Sequence, residues 1–186
     1  MLIACLGWGS LVWKPGDLPV RGKWFADGPF LPIEFARQSS DGRMTLVLMP
    51  NTFPLVRSMW KPMSVGSTRE ARKALGVREC PQSDKPESCV DYWPRGSKNT
   101  TVARRVGQWA REFDIGTVVW TNLPPRFGGE NNRIATAEDV VSYLGGLEGE
   151  KRERAKEYIQ KAPQQIDTGF RRAIERELGW MCMSPI

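Results

Sequence analysis

The chain has 186 residues, of which 40% are hydrophobic and 26% are charged, so it is long enough and apolar enough to bury a core. It contains no histidine, which excludes a Ser-His-Asp triad, a Cys-His pair and histidine-ligated metal sites. The formal net charge of +6 favours anionic partners, which include small carboxylates, nucleotides and nucleic acid.

The cysteines and the N-terminus indicate the compartment. Cys5 lies in an apolar run and is predicted to be a buried structural thiol. Cys80 and Cys89 flank a polar segment and can approach one another, and Cys182 lies near the end of the sequence. The apolar run 2–13 is too short to span a bilayer and has no basic residue before it, unlike a signal peptide. We therefore expect a cytoplasmic protein with reduced thiols and no membrane segment.

The first part of the chain is predicted to consist mainly of strands. Alternating apolar runs and turn residues define the strands, and Ser40–Gly42 is the expected turn of a β-hairpin. We predict a buried strand at residues 2–6 and an irregular Pro- and Gly-rich loop at 14–32. The two strands of the hairpin follow at 32–36 and 43–48, and a further extended segment at 55–63.

The second part is predicted to be mainly helical. Ser67 and Glu70 form a capping-box pattern before a helix that ends near Arg78-Glu79, because a residue before proline disfavours the helical conformation. Thr136, and either Asp167 or Thr168, are N-cap candidates for later helices. We predict a mobile polar loop at residues 81–99, an amphipathic helix at 101–113, a buried strand at 117–121 and a loop at 122–132. Three helices follow, at 137–144, 150–161 and 168–178.

These elements predict an α+β fold, or a mixed α/β fold, with a mixed sheet. We expect a single domain over residues 1–186, in which residues 136–180 form a helical C-terminal extension.

Three segments resemble one enzyme family. The first directly follows the first predicted strand and reads Gly7-Trp8-Gly9-Ser10-Leu11-Val12-Trp13-Lys14-Pro15. It resembles the Y-G-S-L-I-W-x-P opening of ChaC-type γ-glutamylcyclotransferases and, more loosely, the Y-G-S-N opening of the wider γ-glutamylcyclotransferase and γ-glutamylamine cyclotransferase families. Residues 35–43 resemble the F-x-x-x-S-x-x-x-R element of the ChaC-type proteins, and the helix ending at Arg78-Glu79 resembles the one that ends at their catalytic glutamate.

The resemblance implies a γ-glutamylcyclotransferase-like fold, a small β-barrel or mixed sheet with flanking helices. It also implies a reaction in which the amine of a γ-glutamyl group attacks its own γ-carbonyl, releasing 5-oxoproline and an amine. Glu79 matches the general acid and base, with no metal or cofactor and with a small γ-glutamyl or similar carboxylate as the substrate. The implied substrate-binding residues are Gly7, Trp8, Gly9, Ser10, Leu11, Arg37, Ser39 and Arg43. Trp8 replaces the family tyrosine and Cys80 replaces a frequent glycine, which leaves the substrate open.

Each of these residues also has a purely structural interpretation. Residues 7–11 can be a tight turn after a strand, and Glu79 can be a solvated residue at a helix end. Ser39 can bond the backbone of a turn, and Arg43 can face water from a strand. Glu34 is a rival carboxylate because it lies in a predicted strand and can face the same cavity.

Two other functions stay open at this point. A non-catalytic small-molecule-binding or regulatory domain can use the same fold, since a fold does not determine activity. Nucleic-acid binding through the +6 charge is the third possibility, although the sequence has no zinc finger, ribonucleoprotein aromatic motif or basic arm.

Overall fold

The structure is a computed structural model that describes residues 1–49, 51–94 and 101–183. The chain packs into two compact units, each assembled from separate stretches of sequence. The first unit comprises Met1–Gly7, Lys14–Leu31 and Arg57–Leu123, and the second comprises Trp8–Trp13, Pro32–Val56 and Pro124–Ile186.

The first unit is built on a mixed sheet with the strand order β6-β1-β8-β7. Its strands are β1 (Ile3–Gly7), β6 (Met59–Pro62), β7 (Val90–Trp93) and β8 (Thr117–Thr121). The central strand β1 is buried throughout, and Cys5 on it faces Lys61 of antiparallel β6 and Val119 of parallel β8. The predicted strands at 2–6 and 117–121 are confirmed, and so is the extended segment at 55–63, which also contains β5 (Val56–Arg57). The predicted loop at 14–32 is irregular except for β2 (Phe30–Leu31) at its end.

The mobile loop predicted for residues 81–99 is wrong over much of its length. The segment contains a 3₁₀ helix, η1 (Pro86–Cys89), followed at once by β7. Strand β7 pairs with the buried strand β8 along its whole length, from Val90 opposite Thr121 to Trp93 opposite Val118. The segment is therefore structured by its hydrogen bonds to β8, although its polar composition predicts a loop. Residues 95–99 of the prediction lie outside the described residues.

Two helices complete the first unit. Helix α1 (Thr68–Glu79) begins at Ser67, whose side chain accepts the N–H of Glu70 at 3.2 Å, as the capping pattern predicts. The Glu70 carboxylate bonds the N–H of Gly66 instead of that of Ser67. Helix α2 (Thr101–Glu112) buries Val106, Trp109 and Ala110, which confirms the predicted amphipathic helix, although Phe113 at the end of the prediction is exposed.

The second unit contains the predicted hairpin, formed by β3 (Ile33–Gln38) and β4 (Met44–Leu48). The loop predicted for residues 122–132 is wrong in part, since it contains a tight hairpin of β9 (Arg126–Phe127) and β10 (Glu130–Asn131). Gly128 and Gly129 both have positive φ and make its turn. The strand order is β10-β9-β3-β4, with β9 parallel to β3.

Three helices follow in the second unit, namely α3 (Ala137–Gly145), α4 (Gly149–Lys161) and α5 (Gly169–Leu178). Thr136 caps α3 in a complete capping box with Asp139. Thr168, and not Asp167, caps α5, and Gly179 ends that helix with a φ of 66°. The three predicted helices are therefore confirmed, with ends within a residue or so of those expected.

The protein is thus α+β with mixed sheets. Of the two sheet forms that the resemblance implies, the mixed sheet is the one present, and no sheet among the described residues closes into a barrel. Nor does any helix in these residues have the length and apolar character needed to cross a membrane.

Candidate functional site

The segment that follows β1 is a tight, largely buried turn. The N–H of Val12 donates to the carbonyl oxygen of Gly9 at 2.9 Å, which closes the turn. Trp8 and Leu11 are each 5% exposed, whereas Ser10 is half-buried. The turn therefore presents one polar side chain between two apolar anchors.

Trp8 is fixed by the edge of the second unit's sheet. Its indole N–H donates to the carbonyl oxygen of Leu46 at 3.2 Å. The backbone N–H of Leu46 in turn donates to the hydroxyl of Tyr158 at 3.3 Å. Strand β4 is the end strand of its sheet, so two aromatic side chains occupy the outward N–H and C=O groups of Leu46.

Tyr158 is a component of this region that the sequence did not single out. It extends from α4, and its ring is in edge contact with Trp13 at 5.3 Å and with Phe35 at 6.4 Å between ring centroids. The guanidinium carbon of Arg43 lies 5.3 Å from the ring centroid, within the range of a cation–π contact. The available signal was its position on the apolar stripe of α4, beside Ala155 and Ile159.

Ser39, Asp41 and Arg43 form a hydrogen-bonded group at the tip of the β3–β4 hairpin. The Ser39 hydroxyl donates to Asp41, and Arg43 binds the same carboxylate through Nε at 3.0 Å and through Nη2 at 2.8 Å. Partial burial acts to raise the pKa of Asp41, but the hydrogen bonds from Arg43 and Ser39 hold it below its ordinary value. Asp41 therefore stays charged and neutralises Arg43, so an incoming carboxylate would have to compete with it for this guanidinium.

Arg37 lies on β3 and holds the β9–β10 hairpin. Its Nη1 donates to the carbonyl oxygen of Pro124 at 2.8 Å and to Oδ1 of Asn131 at 3.4 Å. Both contacts stabilise the second unit, and they orient the guanidinium towards the 124–131 segment.

Glu79 is the last residue of α1 and belongs to the first unit, as Gly7 does. Its side chain is only 17% exposed, so it is not the solvated helix-end residue of the structural interpretation. Arg78 lies 3.1 Å from its Oε1 and also donates to the carbonyl oxygen of Lys14 at 2.9 Å. The charge of Glu79 acts on Cys5, whose pKa is raised by burial first and by this carboxylate second. Helix α1, which Glu79 ends, contacts the buried strand β1.

A cleft of about 520 Å³ runs along the same helix in the first unit. Its lining is part apolar, with Leu18 and Val77, and part charged, with Lys73 and Arg78. Because Arg78 also binds Glu79, one side chain connects this cleft to the candidate acid–base residue.

Glu34, the rival carboxylate, serves the fold of the second unit. It is 1% exposed and accepts hydrogen bonds from the hydroxyl of Thr168, from the N–H of Phe170 at 3.2 Å and from its neighbour Phe35 at 2.8 Å. Burial raises its pKa, although the hydrogen bonds from Thr168 and the backbone oppose this. A carboxylate enclosed at the N-terminus of α5 stabilises that helix end and is not presented to a ligand.

No protein-family model matches this chain, and neither a curated protein nor a solved structure matches it. Functional inference therefore depends on the residues themselves. The structure places Gly7 and Glu79 in the first unit, and it places Trp8 to Leu11, Arg37, Ser39 and Arg43 in the second.

Proposed function

We propose that this chain is a γ-glutamylcyclotransferase-like enzyme and that its fold belongs to that superfamily. The observation that carries the proposal is the position of Glu79, which is 17% exposed at the end of α1, a helix that contacts β1. Strand β1 leads directly into the Gly7–Leu11 motif, which resembles the substrate loop of that family.

In this reaction the free α-amine of the γ-glutamyl group attacks the γ-carbonyl carbon. A new carbon–nitrogen bond closes the five-membered ring, and the bond to the leaving amine breaks. Glu79 accepts a proton from the α-ammonium group and returns it to the leaving amine, so a single carboxylate serves as base and then as acid. Since both reacting groups belong to one molecule, the main task of the protein is to hold them in a reactive geometry.

The remaining motif residues have supporting roles in the proposal. The backbone N–H groups of Gly9, Ser10 and Leu11 bind the substrate α-carboxylate or the developing oxyanion. Trp8 forms an apolar wall, held in place by its hydrogen bond to Leu46. Arg37, Ser39 and Arg43 are proposed to bind the substrate through the guanidinium and hydroxyl groups that their protein contacts orient.

A non-catalytic binding domain is the second candidate, and one contact favours it. Arg78 binds Glu79 at 3.1 Å, and a carboxylate held by arginine can anchor a structure or a ligand without ever accepting a proton. The two functions predict different behaviour for the same variant.

The test is 5-oxoproline release, measured by mass spectrometry, from a panel of γ-glutamyl amides and amines that includes glutathione. We expect release by the wild type and a loss of about 10²- to 10⁴-fold in Glu79→Gln. Glu87→Gln, which changes an exposed carboxylate on η1, is the matched control and should retain full activity. Release that persists in a folded Glu79→Gln protein would contradict the role of Glu79. Calorimetric binding of a panel compound without any release would favour the binding domain.

A further inference from the structure

Two thiols flank a close contact between α1 and η1. Gly76 makes this contact possible, because a β-carbon there would lie 2.5 Å from both the carbonyl carbon and the oxygen of Pro86. The N–H of Cys80 donates to the oxygen of Gly76 at 2.7 Å, and the thiol of Cys89 donates to the oxygen of Pro86 at 3.1 Å. Cys80 therefore bonds Gly76 on one side of this contact, and Cys89 bonds Pro86 on the other.

Both cysteines lie next to this contact. Cys80 is the C-cap of α1, four residues after Gly76, while Cys89 follows Pro86 by one 3₁₀ turn. Burial first, and the Cys80 thiol second, raise the pKa of Cys89. Both cysteines are free.

The two thiols differ in their access to solvent. Cys89 is 7% exposed, whereas Cys80, at the open end of α1, is half-buried. A dissolved oxidant therefore reaches Cys80 more readily than Cys89.

We propose that Cys80 and Cys89 form a reversible disulfide when the protein meets a hydroperoxide. The Cys80 sulfur attacks the peroxide, the O–O bond breaks, and a sulfenic acid forms with release of an alcohol or water. The Cys89 sulfur then attacks the Cys80 sulfur, the S–O bond breaks, and the departing hydroxide takes the Cys89 proton to leave as water. The thiol pair is oxidised by two electrons, the peroxide is reduced by two, and an external dithiol reverses the change.

The bridge would form at a functionally important position. Glu79 directly precedes Cys80, and its charge contributes to the raised pKa of Cys89. An effect of the bridge on activity rests on the proposed function, whereas the bridge itself does not.

The test oxidises the full-length protein with a stoichiometric amount of hydrogen peroxide, blocks the remaining thiols with iodoacetamide and maps peptides without reduction. Trypsin leaves both cysteines in one peptide, because Lys85 precedes Pro86. Cleavage after glutamate separates them at Glu87, so a disulfide appears as two linked peptides. We expect this linked pair after oxidation, and two alkylated thiols after dithiothreitol treatment.

Variants exclude other pairings. Cys80→Ser and Cys89→Ser should each abolish the linked pair, and Cys182→Ser should preserve it. If the buried Cys89→Ser protein does not fold, Cys80→Ser and the wild-type map still decide the question. The proposal is overturned if peroxide carries Cys80 to a sulfinic acid, or links it to another cysteine, while Cys89 stays reduced.

Discussion

The hydroxyl of Tyr158 occupies the space that a β-carbon on Gly9 would need. The backbone of Gly9 does not have a positive φ, so this position requires glycine for its small size and not for its conformational freedom. The same hydroxyl accepts the N–H of Leu46, and the ring contacts Trp13. The turn over Trp8–Trp13 is therefore held in the second unit by an aromatic side chain from α4.

Gly9→Ala should destabilise the protein by about 1–3 kcal/mol, because the added methyl group must displace either Tyr158 or the turn. Tyr158→Phe removes the colliding oxygen, so the double variant should lose less stability than the sum of the two single variants. Gly145→Ala is the control, since its nearest neighbour lies at an ordinary 3.5 Å. Urea unfolding of the wild type and the four variants measures these losses, and strictly additive losses in the double variant would contradict the collision.

Arg171 should be the least replaceable arginine of the second unit that the structure describes. It is 2% exposed and donates to four carbonyl oxygens at the end of α4 and beyond, those of Ile159, Ala162, Pro163 and Ile166. Arg171→Met removes these four buried hydrogen bonds and the ion pair with Glu175, and we expect a loss of about 3 kcal/mol or more in the free energy of unfolding.

Its neighbour on the helix gives the control. Arg172→Met removes an exposed ion pair with Asp167 and should change the free energy of unfolding far less. Equal losses in the two variants would show that the buried hydrogen bonds of Arg171 do not stabilise the fold.

Glu34 should make stability depend on pH. Because its pKa is raised in the folded protein, the folded state binds more protons than the unfolded state between the ordinary value of 4.5 and the raised value. Its contribution to stability therefore falls as the pH rises through this window. The free energy of unfolding, measured from pH 4 upwards, should fall less steeply in Glu34→Gln than in the wild type. The control is Glu153→Gln, on the exposed face of α4, which should keep the wild-type slope. A wild-type slope in Glu34→Gln would show that Glu34 does not cause the pH dependence.

Local signals in the sequence predicted most of the elements. The caps at Ser67, Thr136 and Thr168 each use a side chain that bonds an N–H three residues ahead, which is a relationship visible in sequence. Strand β7 was missed because Val90–Trp93 is short and follows a polar segment. Its order comes from pairing with β8, which is remote in sequence.

The same distinction explains what was predicted of the site. The motif loop and Glu79 were predicted as site residues from short patterns, whereas the burial of Glu79, which is 17% exposed, could not be read from them. The hydrogen bond between Trp8 and Leu46 and the contacts of Tyr158 join residues far apart in the chain, so no local pattern indicates them. Glu34 illustrates the converse, since its strand position gave no indication that it binds the N-terminus of α5.

Gly76→Ala tests the contact between α1 and η1 on which the Cys80–Cys89 pair depends. Alanine favours a helix by about 1 kcal/mol over glycine, but the β-carbon would lie 2.5 Å from Pro86 and force η1 away. We expect a net loss of stability and slower disulfide formation with peroxide, because the two thiols move apart. Gly145→Ala, at the last residue of α3, should gain from the helix preference alone and leave the thiols unaffected. A Gly76→Ala protein that matches Gly145→Ala in stability and in rate of thiol loss would show that the contact neither stabilises the unit nor aligns the cysteines.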